Sequence, residues 1–318
     1  MKKVLFVLNP RSGKEQIRSK LLDILDVFSK SGYEVTVYVT QKQGEALSMV
    51  AHHGRGKSLI VCSGGDGTLN EVVSGIMTLD KEKRPAVGYI PAGSTNDFAV
   101  SLGLSKNMKT AALNIVKGRD FSVDVGRFGG DRYFVYVAAF GAFTEVSYKT
   151  PQEAKNLLGH QAYMLEGVKR ITNLKSYRMT FEWDGNKLQD EFILGMVTNT
   201  ISIGGFKGLV GLDVALDDGE FEVLLVRTPK TPKDISSIVA YLLTKEGEND
   251  CVYKFRAKSI KIISAEETDW SLDGEFGGSR TEVLIENLQK AAVIRTEPGK
   301  TEYFTSQRGF LPETKEMC

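Results

Sequence analysis

The sequence contains few of the residues on which covalent frameworks and many catalytic sites depend. It has three cysteines and three histidines in 318 residues. Cys62, Cys251 and Cys318 form no close pair, so neither a disulfide framework nor a zinc site is indicated, which fits a reducing cytoplasm. No G-x-S-x-G turn is present, and with so few histidines a histidine-based catalytic triad is not predicted.

An excess of one charge and long apolar runs are also missing. The 41 basic and 40 acidic residues leave a formal charge of +1, so composition does not point to a nucleic-acid partner, and none is predicted. The apolar start Val4–Leu8 imitates a signal peptide, but Asn9 and Pro10 end it too early, so it is predicted to be a first strand. No run approaches the roughly 20 apolar residues of a spanning helix. Any membrane contact is therefore expected to be peripheral.

The most informative stretch is the glycine-rich run Ser63–Asn70. It follows the apolar run Leu59–Cys62, which suits a buried parallel strand, and it precedes apolar residues at helical spacing. Where a strand turns into a helix, glycines allow backbone N–H groups to converge on a phosphate at the positive end of the helix dipole. The carboxylate of Asp66 beside such a site suits phosphoryl transfer. The alternative is an ordinary turn in which Asp66 caps the helix.

A strand, loop and helix repeat through the first part of the chain. Strands are predicted at Val4–Leu8, Tyr33–Val39, Leu59–Cys62 and Ala86–Ile90, with helices between and after them. This order predicts an α/β fold, with a doubly wound Rossmann-like domain over residues 1–124. Loops after the carboxyl ends of such strands line a ligand crevice. The loops that begin at Asn9, Thr40, Gly64 and Gly93 are therefore expected to converge.

Beyond about Asp124, closely spaced strands and turns predict a second, mainly antiparallel β domain over residues 125–296. Strands are expected at 132–139, 177–183, 192–198, 222–226, 259–263, 281–285 and 291–295, and helices at 151–173 and 232–245. The first of these helices mixes apolar and basic residues, and packing on its own domain is favoured over a peripheral membrane face. The polar tail 297–318 is expected to pack back on the first domain.

Two Asp-Gly turns each have an ordinary and a sharper interpretation. Asp273-Gly274-Glu275 is either a tight hairpin turn or an acid placed beside aromatic surface, and the residues alone favour the turn. Asp217-Asp218-Gly219 is either a turn or an oxygen cluster that suits calcium or magnesium.

Two common nucleotide-binding patterns are not met. The nicotinamide fingerprint G-x-G-x-x-G fails at Asn70, which stands where its third glycine belongs. The Walker pattern fails because Leu8 replaces its first glycine and Glu15 follows Lys14 where Ser or Thr is required.

Four motifs, taken together, resemble the diacylglycerol kinase catalytic-domain family of bacterial lipid kinases, which is related to sphingosine kinases and more distantly to NAD kinases and phosphofructokinases. They are Asn9–Gly13, Gly64–Glu71, Pro91–Phe98 and Leu272–Glu275. The GGDGT run is shared with NAD kinases, and the other three motifs favour the lipid-kinase branch. The resemblance implies a phosphofructokinase-like first domain and a β-sandwich second domain.

The resemblance also implies ATP and Mg2+ as cofactors and assigns roles to residues. Glu275 would be the catalytic base for the lipid hydroxyl, with Asp66 as a second catalytic carboxylate. A structural magnesium would be bound by Asp218 and the main-chain carbonyls of Ala215 and Glu220. ATP would lie between the domains, bound by Asn9, Pro10, Arg11, Ser12, Gly13, Thr40, Gly64, Gly65, Asp66, Gly67, Thr68, Leu69, Asn70, Ser94, Asn96 and Asp97.

Some positions depart from the family pattern. Ser94-Thr95 replaces an expected Thr-Ala or Thr-Thr pair and keeps a hydroxyl. Val100 and Glu166 stand where some relatives carry basic residues that would meet acidic membranes. These differences concern the lipid-docking surface more than the chemistry.

The expected function is ATP-dependent phosphorylation of a hydroxyl of diacylglycerol or a related lipid, in phospholipid metabolism. The enzyme is expected to be cytoplasmic and peripherally membrane-associated, and a homodimer is compatible with the resemblance. Two alternatives remain open. One is a soluble-substrate kinase of the NAD kinase type, and the other is a non-catalytic regulator that binds a nucleotide or a lipid.

Overall fold

A computed structural model describes residues 2–142, 174–210, 214–244 and 249–297. Its first part alternates strands and helices. Parallel strands are Lys2–Leu8 (β1), Tyr33–Val39 (β2), Leu59–Gly64 (β3) and Ala86–Pro91 (β4), in the spatial order β2-β1-β3-β4. The helices are Ile17–Lys30 (α1), Glu45–His53 (α2), Asp66–Met77 (α3), Asp97–Ser101 (α4) and Met108–Lys117 (α5), with a short 3-10 turn at Lys81–Lys83.

Alternation along these strands supplies apolar side chains to both faces of the sheet. On one face Val4 and Phe6 of β1 pack with Phe28 of α1 and Ile115 of α5. On the other face Leu5 and Val7 belong to a cluster that includes residues of α2 and α3. Both faces of β1, β3 and β4 are thus covered, which fits their nearly continuous apolar residues, whereas the edge strand β2 is largely exposed. The carboxyl ends of the strands are left free to present their loops at one edge.

The second part is rich in antiparallel sheet. Its strands are Arg119–Phe128 (β5), Arg132–Phe134 (β6), Val137–Gly141 (β7), Tyr177–Trp183 (β8), Asn186–Thr198 (β9), Ser202–Ile203 (β10), Phe206–Lys207 (β11), Phe221–Arg227 (β12), Val252–Ala257 (β13), Ser259–Leu272 (β14) and Glu275–Thr296 (β15). The helix Pro232–Thr244 (α6) lies between β12 and β13. An aromatic cluster that includes Phe128, Phe140, Phe181 and Trp270 fills its core.

Strand β15 joins the two parts. Near its end Ile294 pairs in parallel with Val87 of β4, while the rest of β15 pairs antiparallel with β14 and β5. The resulting path through the sheet is β13-β12-β9-β7-β14-β15-β4-β3-β1-β2. A hairpin between β14 and β15 therefore leads directly towards the parallel strands.

The predicted mixed α/β fold is confirmed, and several boundaries differ from expectation. The strands Tyr33–Val39 and Tyr177–Trp183 have the predicted bounds. One long strand, β15, replaces the two strands expected within 281–295, because an irregularity between Leu288 and Ala292 bends it without ending it. The strand expected at 132–139 is broken, since the backbone N–H groups of Val135 and Tyr136 donate to a side chain instead of a neighbouring strand. The sequence analysis missed β5, which runs through Asp124.

Some expectations concern residues outside the described ranges. These are the helix predicted at 151–173, Glu166 and the tail from residue 298 onward. Of the helices that the structure describes, none has the length and apolar character needed to cross a membrane. Cys62 and Cys251 are both buried with free thiols.

Candidate active site

Three glycine-rich loops meet at the carboxyl ends of the parallel strands. A Cβ on Gly93 would lie 2.5 Å from the Cα of Gly65, and a Cβ on Gly13 would lie 2.3 Å from the carbonyl oxygen of Ala92. Both distances are shorter than any real carbon contact, so only glycine permits these backbones to touch. Gly13 also has a φ of +55°, in the left-handed region that glycine favours. The loops after β1, β3 and β4 therefore form one continuous backbone surface.

Hydrogen bonds hold this surface together. The Asn9 amide donates to the Thr68 hydroxyl over 3.4 Å, and the Asn9 backbone N–H donates to Ser63 O over 2.9 Å. The buried Tyr89 hydroxyl lies 3.2 Å from both Gly64 O and Asn96 Oδ1. Thr40 binds to the end of β1 through its N–H, 2.9 Å from Leu8 O. Of the four loops expected to converge, three contact one another, and the loop at Thr40 is attached to the end of β1.

Helix α3 begins inside this surface without a side-chain cap. Its N-cap residue is Gly65, which has no side chain to accept from the first turn. Uncapped N–H groups at a helix start carry partial positive charge and can bind an anion. Leu69 is different, because its side chain is buried in the core and its N–H donates to Gly65 O over 3.1 Å. The N–H groups of Asp66, Gly67 and Thr68 are therefore the candidates for binding an anion.

Asp66 is a buried carboxylate in the first turn of α3. Its Oδ2 accepts the N–H of Asp97 over 3.0 Å and its Oδ1 accepts the N–H of Phe98 over 3.4 Å, so it links α3 to the start of α4. Burial, together with the nearby charge of Asp97, raises the pKa of Asp66 to about 7. Each oxygen retains a lone pair for a further donor or a metal ion.

Asp97 and Asn96, two other residues predicted for the site, form hydrogen bonds with neighbouring loops. Asp97 Oδ1 accepts from the Ser202 hydroxyl and from Gly205 N–H, and its Oδ2 accepts from Gly204 N–H, at 2.7 to 2.8 Å. Asn96, at a φ of +55°, exchanges hydrogen bonds of 2.9 and 2.7 Å with the backbone of Gly93. These side chains hold the loop after β4 and the segment around β10 in place.

Glu275 reaches the same surface from the β14–β15 hairpin. Its side chain is exposed, and a Cβ on Gly67 would lie 3.0 Å from Glu275 Oε1. The Gln43 amide donates to Glu275 Oε2 over 3.3 Å. An acid is thus placed against the first turn of α3, about 200 residues away in sequence.

Asp273 fixes the hairpin that carries Glu275. Its buried carboxylate accepts the N–H groups of Val135, Tyr136 and Val137 at 2.6 to 3.0 Å, and the amide of Asn70 at 2.7 Å. Burial raises the pKa of Asp273 to about 6 against the opposing effect of these hydrogen bonds. The Asp-Gly pair therefore makes a turn, as its residues favour, and also anchors the neighbouring strands.

Glu71 was not given a role in the sequence analysis, although it ends the motif Gly64–Glu71. Its Oε1 accepts Gly44 N–H over 2.7 Å and its Oε2 accepts Ala46 N–H over 3.0 Å. It thereby caps the start of α2 and fixes the loop that carries Gln43. Nothing in the local sequence around Gln43 indicates its contact with Glu275, because that contact depends on the tertiary fold.

The predicted magnesium turn lies elsewhere, against β5 and β15. Asp218 is half-buried, and burial raises its pKa. Its Oδ1 accepts Glu220 N–H over 3.0 Å. Within the described parts of the chain, no three His, Cys, Asp or Glu side chains lie together as a metal-binding group. A site with one carboxylate and two carbonyls, such as Asp218 with Ala215 and Glu220, does not require such a group.

Two residues missed by the sequence analysis complete this turn. Asp124 is fully buried, accepts Gly219 N–H over 2.7 Å, and has its pKa raised to about 6, chiefly by burial. Asn287 donates to Glu220 O over 3.1 Å, while its Oδ1 is buried and finds no hydrogen-bond partner among the described residues. This concentration of oxygen atoms suits a hard cation such as Mg2+.

Comparison with known proteins places this architecture in a family. A model of the diacylglycerol kinase catalytic domain matches residues 3–128. A diacylglycerol kinase of Bacillus subtilis (strain 168) is 34% identical over 280 residues, which cover 87% of this chain and 91% of that protein. A diacylglycerol kinase of Staphylococcus aureus (strain bovine RF122 / ET3-1) is 36% identical over 282 residues, 87% of each chain. The chain belongs to the diacylglycerol kinase family.

Solved structures agree with this assignment. A crystal structure of a diacylglycerol kinase from Bacillus anthracis str. Sterne has a TM-score of 0.74 at 26% identity and covers 93% of this chain and 97% of its own. Another crystal structure from that organism has a TM-score of 0.81 at 30% identity, with the same coverage. As a member of the diacylglycerol kinase family, the chain is a lipid kinase by class.

Proposed function

We propose that this member of the diacylglycerol kinase family transfers the γ-phosphate of ATP to a hydroxyl of diacylglycerol or a closely related lipid. The observation that carries the proposal is the position of Glu275 against Gly67. An exposed carboxylate and the start of a helix meet there, which suits a base for the alcohol and an anion site for the phosphoryl group.

The glycine surface supports ATP as the donor. The close backbone contacts at Gly13 and Gly93 leave no room for side chains, so phosphate oxygens could approach the backbone directly. The exposed Ser94, on the loop after β4, and Arg11, after β1, lie on the loops at its margin. The remaining residues proposed for ATP, from Asn9 to Asp97, act partly by holding these loops.

Magnesium is proposed in two places. At the phosphate surface, Asp66 retains acceptor capacity and would contact the ion that accompanies ATP, where Mg2+ is usually held by one or two carboxylates together with phosphates. At the turn of residues 215–220, Asp218 and the carbonyls of Ala215 and Glu220 would bind a structural ion. The orphaned Oδ1 of Asn287 beside that turn supports this second site. A magnesium ion bound to the phosphates would neutralise part of their negative charge.

The chain's own residues supply the rest of the chemistry. Glu275 orients the attacking lipid hydroxyl and accepts its proton. The N–H groups in the first turn of α3 stabilise negative charge on the phosphoryl group. Asn70 and Asp273 keep the hairpin and α3 at a constant separation, so that acid and phosphate remain aligned.

The wider organisation follows from this proposal. Residues 1–124 would form a Rossmann-like ATP-binding domain and residues 125–296 a β-sandwich domain that receives the lipid. Because the substrate resides in a bilayer, we propose a cytoplasmic enzyme that contacts the membrane peripherally. We also propose that the enzyme assembles as a homodimer.

The test is transfer of labelled γ-phosphate from ATP, with Mg2+, to diacylglycerol, monoacylglycerol, sphingosine and phosphatidylglycerol in micelles, and to NAD in buffer. Label on diacylglycerol, lost in the Glu275→Gln variant, is expected. Label on NAD alone would replace the proposal by a soluble-substrate kinase. ATP binding without label on any acceptor would support a non-catalytic regulator.

A further inference from the structure

Gln43 contacts the proposed base from a different part of the chain. Its amide Nε2 lies 3.3 Å from Oε2 of Glu275, 232 residues later. On the other side, Gly67 faces Oε1 of the same carboxylate. The two oxygens therefore have different neighbours, which gives the carboxylate a defined orientation. Oε1 is directed to the first turn of α3, and Oε2 is directed to the loop between β2 and α2.

The loop that carries Gln43 is held on both sides. Before it, the Gln41 N–H donates to Glu45 Oε2 over 2.7 Å. After it, the Gly44 N–H donates to Glu71 Oε1 over 2.7 Å. Gly44 has a φ of +83°, so the chain turns sharply into α2 at this point. Two carboxylates thus fix the backbone on each side of Gln43, and its side chain extends from a rigid base towards Glu275.

A neutral amide suits this position. It donates to the carboxylate without adding a positive charge, so it can orient Glu275 and still leave it able to accept a proton. A hydrogen bond to one oxygen also restricts rotation of an otherwise exposed side chain. The alternative is that Gln43 and Glu275 form an ordinary surface contact that has no effect on turnover.

We infer that Gln43 is a positioning residue, which holds Oε2 of Glu275 so that Oε1 faces the first turn of α3. The inference rests on the proposed role of Glu275 as the base. Gln43 acts through Glu275, because its amide donates to Oε2 of that carboxylate.

The test compares Gln43→Met, Gln43→Asn and Gln43→Glu with the wild type and with Gln41→Met. Gln41→Met is the matched control, because it makes the same chemical change two residues away, where the amide donates to Val39 O instead. For each protein, kcat and the KM for ATP are measured with diacylglycerol micelles, and the melting temperature is recorded.

Gln43→Met is expected to lower kcat about ten-fold, with the KM for ATP and the melting temperature unchanged. Gln43→Glu should lower kcat further, because its charge repels the carboxylate. Gln43→Asn, shorter by one methylene, should fall between Gln43→Met and the wild type. Gln41→Met should match the wild type.

Three results would overturn the inference: wild-type kcat in Gln43→Met, an equal loss in Gln41→Met, or a change confined to the KM for ATP. Glu275→Gln separates this inference from the proposed function. If Glu275→Gln is inactive while Gln43→Met is normal, only the positioning role fails. If Glu275→Gln keeps wild-type turnover, or the wild type labels no lipid, the base or the function fails, and the inference fails with it.

Discussion

The amide of Asn70 donates to the carboxylate of Asp273 over 2.7 Å, across 203 residues of sequence. Asn70 belongs to the glycine-rich motif, and Asp273 belongs to the hairpin that carries Glu275. The same amide group of Asn70 also donates to Tyr133 O over 2.9 Å. One side chain on α3 therefore ties the glycine-rich loop after β3 to the antiparallel part of the sheet.

Replacement of the Asn70 amide should weaken the connection between α3 and the antiparallel part of the sheet. Asn70→Ala leaves a buried carboxylate oxygen and a carbonyl with fewer donors, which typically costs about 1–3 kcal/mol. Denaturant unfolding should show this loss in the free energy of unfolding. Asn186→Ala serves as the control, because Asn186 lies in an exposed hairpin, where its side chain donates to Asp184 O over 3.5 Å. Equal stability of the two variants would contradict a structural role for Asn70.

The buried carboxyl of Asp273 predicts a pH dependence of stability. Its pKa in the folded protein is about 6, above the ordinary value of 3.8. Between these values the folded protein holds a proton that the unfolded chain has released, so the free energy of unfolding falls as the pH rises. The contribution is on the order of 2–3 kcal/mol between about pH 4 and 6. Unfolding of the wild type and of Asp273→Asn over pH 4 to 7 should give a shallower slope for the variant, and parallel slopes would contradict the assignment.

Contact between the loops predicts a strong effect of one methyl group. In Gly93→Ala the new Cβ would lie 2.5 Å from the Gly65 Cα and 2.8 Å from Asn96 Oδ1, so the loops must separate. ATP affinity should fall by about ten-fold or more, because the phosphate-facing backbone is displaced. Gly56→Ala is the control, since its φ of +77° makes alanine unfavourable there but nothing lies within 4 Å. Calorimetric titration with ATP distinguishes them, and unchanged affinity in Gly93→Ala would refute the phosphate surface.

Loss of the Glu71 cap should affect both stability and turnover. Glu71→Ala removes the acceptor for the N–H groups of Gly44 and Ala46, at a cost of about 1–2 kcal/mol. The loop then no longer holds Gln43 against Glu275, so kcat should fall as well. Glu71→Gln keeps one acceptor oxygen and replaces the other with an NH2 group, which cannot accept. An intermediate result is therefore expected. Thermal unfolding together with lipid-kinase assays measures the two effects, and a stable but fully active Glu71→Ala would argue against this chain of contacts.

Several contacts around the site could be expected from local sequence and several could not. Ser63–Asn70 indicated a glycine-rich turn between a strand and a helix, because apolar spacing on each side is a local property. The partners of Asp97 in the segment 202–205 could not be found in this way, since they lie more than a hundred residues away. The same holds for the N–H groups that Asp273 binds, which also explain the break in the strand expected at 132–139.

Local sequence patterns were sufficient to predict the strand and helix order of the first part, the loops at the carboxyl ends of its strands and the family to which four motifs point. The spacing of apolar residues and the positions of glycines depend on only a few neighbouring residues, so both can be recognised without knowing the fold. The folded chain was needed to find that β15 joins the two parts, and that Gln43 and Gly67 face opposite oxygens of Glu275. Those relations depend on strand pairing and loop packing between distant segments, for which a linear sequence carries no local signal.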